Sequence, residues 1–273
     1  MIPESTIPIT DLNYIDYHYK QWKELTYEQQ VYKANNVKVA NNFSFNNNEW
    51  NAVPYYGFGM ISMLHQHEKN ILLSQQLVDT QQKLMYLLEE KTNQEIHEKI
   101  YLLPENSFHQ TIANALSNTK YDVQISEKGL VAIYPEKINS ILNKYKSVFE
   151  NKTLRMKIIG IGIFGNAIGV LGVFDDPFEY NSILHFRDHF YNNEMVIGLG
   201  IQKTRPFIGH ITLAYIESDL SLIEKKALVE VTTTLNEQWQ NEKHFFYIDH
   251  AQLTSFSNLA NFVPFQNNHF IHF

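Results

Sequence analysis

The chain has 273 residues, 44% of them hydrophobic and 19% charged, with a net charge of −7; that is enough for a packed core in one large or two small domains. Its 22 Lys and Arg are scattered rather than gathered into a basic stripe, which argues against a long RNA or DNA ligand and leaves a small phosphate ester open. It has no cysteine, so disulfides, thiolate metal sites and a cysteine nucleophile are excluded.

Met1 to Thr10 shows neither a basic segment nor an apolar one of signal-peptide type, and the expectation is a cytoplasmic, monomeric protein without membrane contact. Residues 1–50 read as a polar, Tyr- and Asn-rich extension, partly helical around Tyr19 to Lys33, with a loop or disordered piece over Asn41 to Asn48. Residues 51–273 form the body. It opens with a strand over Tyr55 to Leu64 and a helix over about Asn70 to Lys91, with Leu73, Leu77, Leu84 and Leu88 on one face. A strand after Leu103-Pro104 contains His109-Gln110-Thr111-Ile112. Another strand is expected over Leu130 to Tyr134. A helix opened by Pro135 then buries Ile138, Ile141, Leu142, Tyr145, Val148 and Phe149.

Ile158 to Phe174 is almost wholly apolar, but Phe164-Gly165-Asn166-Ala167 reads as a tight turn between two β-branched runs, so the segment predicts a buried β-hairpin, not a membrane span. Asp176 is an N-cap and Pro177 a first helical residue for a helix reaching about Tyr191. A strand with His210-Ile211-Thr212-Leu213 follows, then a helix over about Ser218 to Trp239, a strand over Phe245 to Phe256 and an aromatic terminal segment. The order of elements repeats imperfectly, each half placing one His-x-Thr strand among helices. This predicts an α+β fold of two lobes, with the motif strands on either side of a central cleft.

The chemistry follows from the period of a strand. Side chains alternate between faces, so His109 and Thr111 share one face while Phe108, Gln110 and Ile112 take the other; His210 and Thr212 are arranged likewise. Two imidazoles and two hydroxyls facing one another outline a phosphoryl-transfer site that needs no metal. An imidazole titrates near pH 6.5 (about that value when unperturbed), so one can take a proton and the other give one. Arg205 and Lys203, just before the second motif, and Tyr56 and Phe207 are further candidate substrate contacts. His185 and His189 have metal-ligand spacing on a helix, but no third ligand is evident and they read as a helix-surface pair. His65 and His67 read as solvent-facing.

The two tetrapeptides His109-Gln110-Thr111-Ile112 and His210-Ile211-Thr212-Leu213 resemble the paired motifs of the 2H phosphoesterase superfamily. The resemblance spans roughly residues 55–256 in element order and is strict only at the motifs. It implies a bilobal, pseudo-two-fold α+β fold of duplicated antiparallel sheets with helices outside and one motif from each lobe. It also implies a phosphodiesterase acting on a small cyclic or 2′-linked nucleotide. His109 and His210 would be the catalytic pair, Thr111 and Thr212 the phosphate-binding pair, with no cofactor. The competing expectation is a nucleotide-sequestering protein that uses the same cleft without turnover.

Overall fold

The computed structural model describes residues 11–92, 94–145, 152–265 and 269–273. Two helices, α1 (Asp11–Glu24) and α2 (Tyr27–Asn35), open the chain and lie on the body. The Tyr17 hydroxyl donates to the Gly172 carbonyl at 3.1 Å, and Gln30 Oε1 accepts from the Ile163 amide at 2.9 Å. The Asn-rich run expected as a loop is a hairpin, β1 (Phe43–Asn46) and β2 (Glu49–Ala52). Asn47 and Asn48 both have positive φ, 53° and 63°. That is the turn in which paired asparagines favour tight hairpins. Phe43 then stacks on Tyr101 with centroids 3.7 Å apart.

The body is α+β. It continues with β3 (Gly57–Met63), α3 (Ile71–Lys91), β4 (Ile100–Leu102), β5 (His109–Ser117), a helical turn α4 (Thr119–Tyr121), α5 (Tyr134–Tyr145), β6 (Leu154–Phe164) and β7 (Ala167–Phe174). It closes with α6 (Pro177–Tyr191), α7 (Glu194–Gly198), β8 (Gly209–Ile216), α8 (Leu222–Asn241), β9 (His244–Ile248), β10 (His250–Asn258), β11 (Asn261–Pro264) and β12 (Phe270–His272). One sheet has the order β11-β10-β3-β5, with β12 also on β10; the other has the order β4-β8-β7-β6-β9. Every pairing described is antiparallel.

Two halves, β3-α3-β5-α5-β6 and β7-α6-β8-α8-β10, follow the same course. The last strand of each joins the sheet begun by the other: β6 pairs β7, and β10 pairs β3. The helices also cross over. α3 packs against α8, β8 and β9, while α6 packs against β5. Neither lobe is complete without a strand and a helix contributed by the other half.

Local chemistry explains the elements. Leu73, Leu77, Leu84 and Leu88 are all buried on α3. Asp176 caps α6, its Oδ1 accepting from the Phe178 amide at 2.8 Å, and Ser221 and Glu224 form a reciprocal capping box on α8. The β6–β7 turn places Gly165 at φ 54°, and the apolar run around it is the buried hairpin expected. No helix among the described residues is long and apolar enough to cross a membrane.

Besides the Asn-rich hairpin, three expectations differ from the structure or fall partly outside the described residues. Leu130 to Tyr134 is not a strand: Ile133 and Tyr134 both donate backwards to Leu130 O, closing a turn, and Val131 and Ile133 are exposed. α5 starts at Tyr134, one residue before Pro135, and Val148 and Phe149 lie outside the described residues. The strand expected over Phe245 to Phe256 breaks at Asp249, where the chain leaves one sheet as β9 and enters the other as β10.

Candidate active site

β5 and β8 bring His109, Thr111, His210 and Thr212 to the wall of one cleft of about 770 Å3 between the sheets. On the reverse face of the strands Phe108, Ile112, Ile211 and Leu213 are buried in the core, as the period-2 pattern requires. The two imidazoles are held in the same way. His109 Nδ1 lies 2.7 Å from Ser107 O, and His210 Nδ1 lies 3.0 Å from Ile208 O. A carbonyl only accepts, so each Nδ1 carries a proton and each Nε2 is the nitrogen left for chemistry.

Both motif strands carry a bulge at the residue after the threonine. Opposite β5, Met60 and Ile61 pair with Ala113 and Thr111, so Ile112 is the extra residue. Opposite β8, Ile168 and Gly169 pair with Ala214 and Thr212, so Leu213 is the extra residue. A bulge frees its residue from the ladder and re-aims its neighbours. Here buried side chains bond the carbonyls of the bulge residues, Leu213 O also accepting from the Leu103 amide at 2.8 Å. Arg187 Nη1 donates to Ile112 O at 2.6 Å, and Gln81 Nε2 donates to Leu213 O at 2.6 Å. Gly169, opposite Thr212, permits the close approach of β7: a Cβ there would sit 2.4 Å from Ile211 O.

Gln110, between the two motif residues of β5, joins the lobes behind the cleft. It is fully buried; its Oε1 accepts from the His210 amide at 2.7 Å and its Nε2 donates to Thr111 O at 2.7 Å and Ile208 O at 3.2 Å. The amide of the second motif histidine is thus held by the residue next to the first. Nothing in a single sequence marks this contact, because Gln110 looks like an ordinary inward-facing strand residue.

Electrostatics set the resting state of the pair. Burial pulls the His109 imidazole down to about 4, with the nearby His210 adding to the shift and the Ser107 carbonyl opposing it. Burial also lowers His210, helped by Arg205 and opposed by the Ile208 carbonyl. Both rings are therefore neutral at pH 7 without a ligand. The described residues that line the cleft include Arg205 and Lys120 but no Asp or Glu, in a chain of net charge −7. A cleft freed of acids in an acidic protein attracts anions. Among the described residues no group of three His, Cys, Asp or Glu is placed to hold a metal ion.

The other candidates divide. Arg205 reaches the cleft, and the Asn114 amide, oriented with its oxygen toward the guanidinium, accepts from Nε at 3.0 Å and Nη2 at 3.3 Å. Lys203 points away to an ion pair with Asp188 at 2.8 Å. Phe207 is buried against Tyr17, Phe174 and Arg187 and offers no ring face to a ligand, because the core needs it more than the cleft does. Tyr56 is exposed outside the cleft wall; its neighbour Tyr55 lines the wall instead, with Tyr215, Phe256 and Phe262. The Phe262 ring lies 4.3 Å from the His109 ring. His67 does not simply face solvent: its Nδ1 accepts from the Lys69 amide at 3.0 Å and its Nε2 lies 3.4 Å from Asp249. His185 and His189 are half-buried, packed edge to face at 4.0 Å.

No family model matches the chain, and no curated protein matches it. Among solved structures, a conserved protein of unknown function from Agrobacterium tumefaciens is similar in fold. The TM-score is 0.57 at 14% identity, over 83% of this chain and 90% of that one. A protein of Thermus thermophilus is a more distant likeness, with a TM-score of 0.41 at 10% identity over 80% of this chain and 100% of that one.

Proposed function

We propose that the chain is a metal-independent phosphodiesterase of the 2H type, acting on a small cyclic or 2′-linked nucleotide. The observation that carries this reading is the matched pair of His-x-Thr strands. Each has its Nδ1–H pinned to a carbonyl two residues back, a bulge after the threonine, and its Nε2 toward a cleft that the described residues line without a carboxylate.

A phosphodiester resists attack because its negative charge repels nucleophiles, and its leaving alkoxide is a strong base. One neutral Nε2 takes a proton from the attacking water as the P–O bond forms. The other Nε2, protonated beside the bound anion, gives its proton to the departing alkoxide oxygen. The anion itself supplies the condition for this: a negative phosphate between two imidazoles favours the protonated form that burial opposes in the empty cleft. Thr111 and Thr212 donate their hydroxyl protons to the non-bridging oxygens, and Arg205 adds positive charge at the rim.

The test is turnover of a panel of 2′,3′-cyclic, 3′,5′-cyclic and 2′-5′-linked nucleotides with EDTA present. Hydrolysis of at least one member with EDTA supports the reading. Tight binding of a member with no turnover of any replaces it with the sequestering protein. Turnover abolished by EDTA and restored by a divalent ion removes the metal-independent mechanism.

A further inference from the structure

Arg187 on α6 is a buried cation behind the cleft wall, bonded to the bulge of the first motif strand and to the backbone of Arg205. It is 2% exposed. Nη1 donates to the bulge carbonyl of Ile112 at 2.6 Å and Nη2 to the Arg205 carbonyl at 2.8 Å. Its Nε has no hydrogen-bond partner among the described residues. It has no ion-pair partner among them either, since the adjacent Asp188 turns to Lys203. The rings of Tyr191 and Phe207 flank it at 5.3 and 5.8 Å. A buried charge without a counter-charge is costly, so a neutral side chain would be expected wherever one could do the same work.

The other lobe shows what a neutral side chain can do. Gln81 Nε2 donates to the equivalent bulge carbonyl, Leu213 O, at 2.6 Å and to Leu103 O at 2.9 Å, and Leu213 O also accepts from the Leu103 amide at 2.8 Å. Holding a bulge therefore does not require a guanidinium. Each side chain bonds two carbonyls, but the second one differs: Gln81 takes Leu103 O, whereas Arg187 takes the carbonyl of Arg205, a cleft residue, and does so with a positive charge. Its neighbour one turn on, Tyr191, donates its hydroxyl to Asn114 O at 2.9 Å. α6 thus grips two alternate carbonyls of β5, the last strand of its sheet among the described residues. Arg205 rides on the same edge, its backbone held by Arg187 and its guanidinium by Asn114.

We infer that Arg187 is a positioning residue for the anion: by bridging Ile112 O and Arg205 O it holds Arg205 and the first His-x-Thr strand in one phosphate-binding arrangement, with no direct ion-pair partner of its own among the described residues. This rests on the reading of the cleft as a phosphate ester site and names how its anion is held.

The experiment measures binding of inorganic phosphate to the full chain by calorimetry or NMR titration, for wild type, R187Q, R187K, R205Q and the R187Q/R205Q double variant. Thermal unfolding reports folding for each. R187Q copies the amide used by Gln81 and should fold, with phosphate affinity reduced at least tenfold. R205Q should show a similar loss. The double variant should lose clearly less than the sum of the two single losses, because Arg187 acts in part through Arg205. R187K, with one reach instead of two, should fall between wild type and R187Q; if R187Q does not fold, R187K carries the same comparison. In turnover, the R187Q loss should appear mainly in KM. Phosphate affinity of a folded R187Q within twofold of wild type, or losses that add fully in the double variant, overturns the inference. So does a wild-type chain that binds no phosphate, which also removes the anion-site reading. Phosphate binding with the expected losses but no turnover of any phosphodiester supports the clamp and defeats only the hydrolase reading.

Discussion

Replacing Gln110 by Leu tests whether the two lobes are held in catalytic register from behind the cleft. The change is close to isosteric, so it removes hydrogen bonds with little loss of packing. It strands the His210 amide, whose acceptor at 2.7 Å disappears, and takes one donor from each of Thr111 O and Ile208 O. A buried donor left unpaired costs about 1–3 kcal/mol, and the two weakened carbonyls add roughly 1 kcal/mol more. The expected destabilisation is therefore about 2–4 kcal/mol, read as a fall in Tm of roughly 3–7 °C for a chain of this size. Activity should suffer beyond stability. The Ile208 carbonyl orients the His210 ring, and a displacement of about 1 Å between the two imidazoles costs on the order of 100-fold in kcat. Calorimetry or denaturant unfolding gives the first number, and steady-state kinetics at a temperature where both proteins are folded gives the second. A variant within about 0.5 kcal/mol of wild type, with unchanged kcat, would refute the bridging role.

Other expectations follow from the same geometry. Because the folded His109 titrates at about 4 against 6.5 for the ordinary imidazole, the unfolded chain binds more protons between those values. Stability should thus be complete above pH 6.5 and fall as the pH drops toward 4, by at most about 3 kcal/mol for this group. H109Q should flatten that part of the stability–pH curve, and a curve unchanged by the substitution would contradict the assignment. The active form holds one proton on the pair, and burial lowers both rings. The optimum of kcat/KM should therefore lie on the acid side of neutrality, its two limbs belonging to the pair. An optimum above pH 8 would exclude these histidines as the acid and base. T111A and T212A should each slow turnover less than loss of either imidazole, since each removes one hydrogen bond to a non-bridging oxygen, on the order of tenfold.

What the sequence disclosed and what it hid separate along physical lines. Strand period placed His109 with Thr111 and His210 with Thr212, and the structure brings all four to one cleft. The Asp176-Pro177 cap, the Leu face of α3 and the Gly165 turn are short-range signals, and each forms where it was expected. The Asn41–Asn48 run has the polarity of a loop, yet the positive-φ pair Asn47 and Asn48 turns it into a hairpin. Leu130 to Tyr134 is the opposite case: its apolar run is capped by a turn and stays partly exposed. Arg205 and Lys203 are two residues apart and indistinguishable by sequence; only the fold shows that one faces Asn114 and the other Asp188. Gln110, Gln81 and Arg187 were invisible because their work is at long range. Each pairs with a carbonyl or amide that becomes available only once a bulge and two lobes exist.

The central claim is that two imidazoles act on one phosphodiester. It is tested most directly by kcat for H109A, H210A and the double variant on whichever panel nucleotide the wild type hydrolyses with EDTA present, each variant first shown to be folded. The account predicts a loss of about 100- to 10,000-fold for each single variant and a double variant little worse than the poorer single one, as for groups that act as a unit. A folded double variant that retains near-wild-type turnover would contradict it.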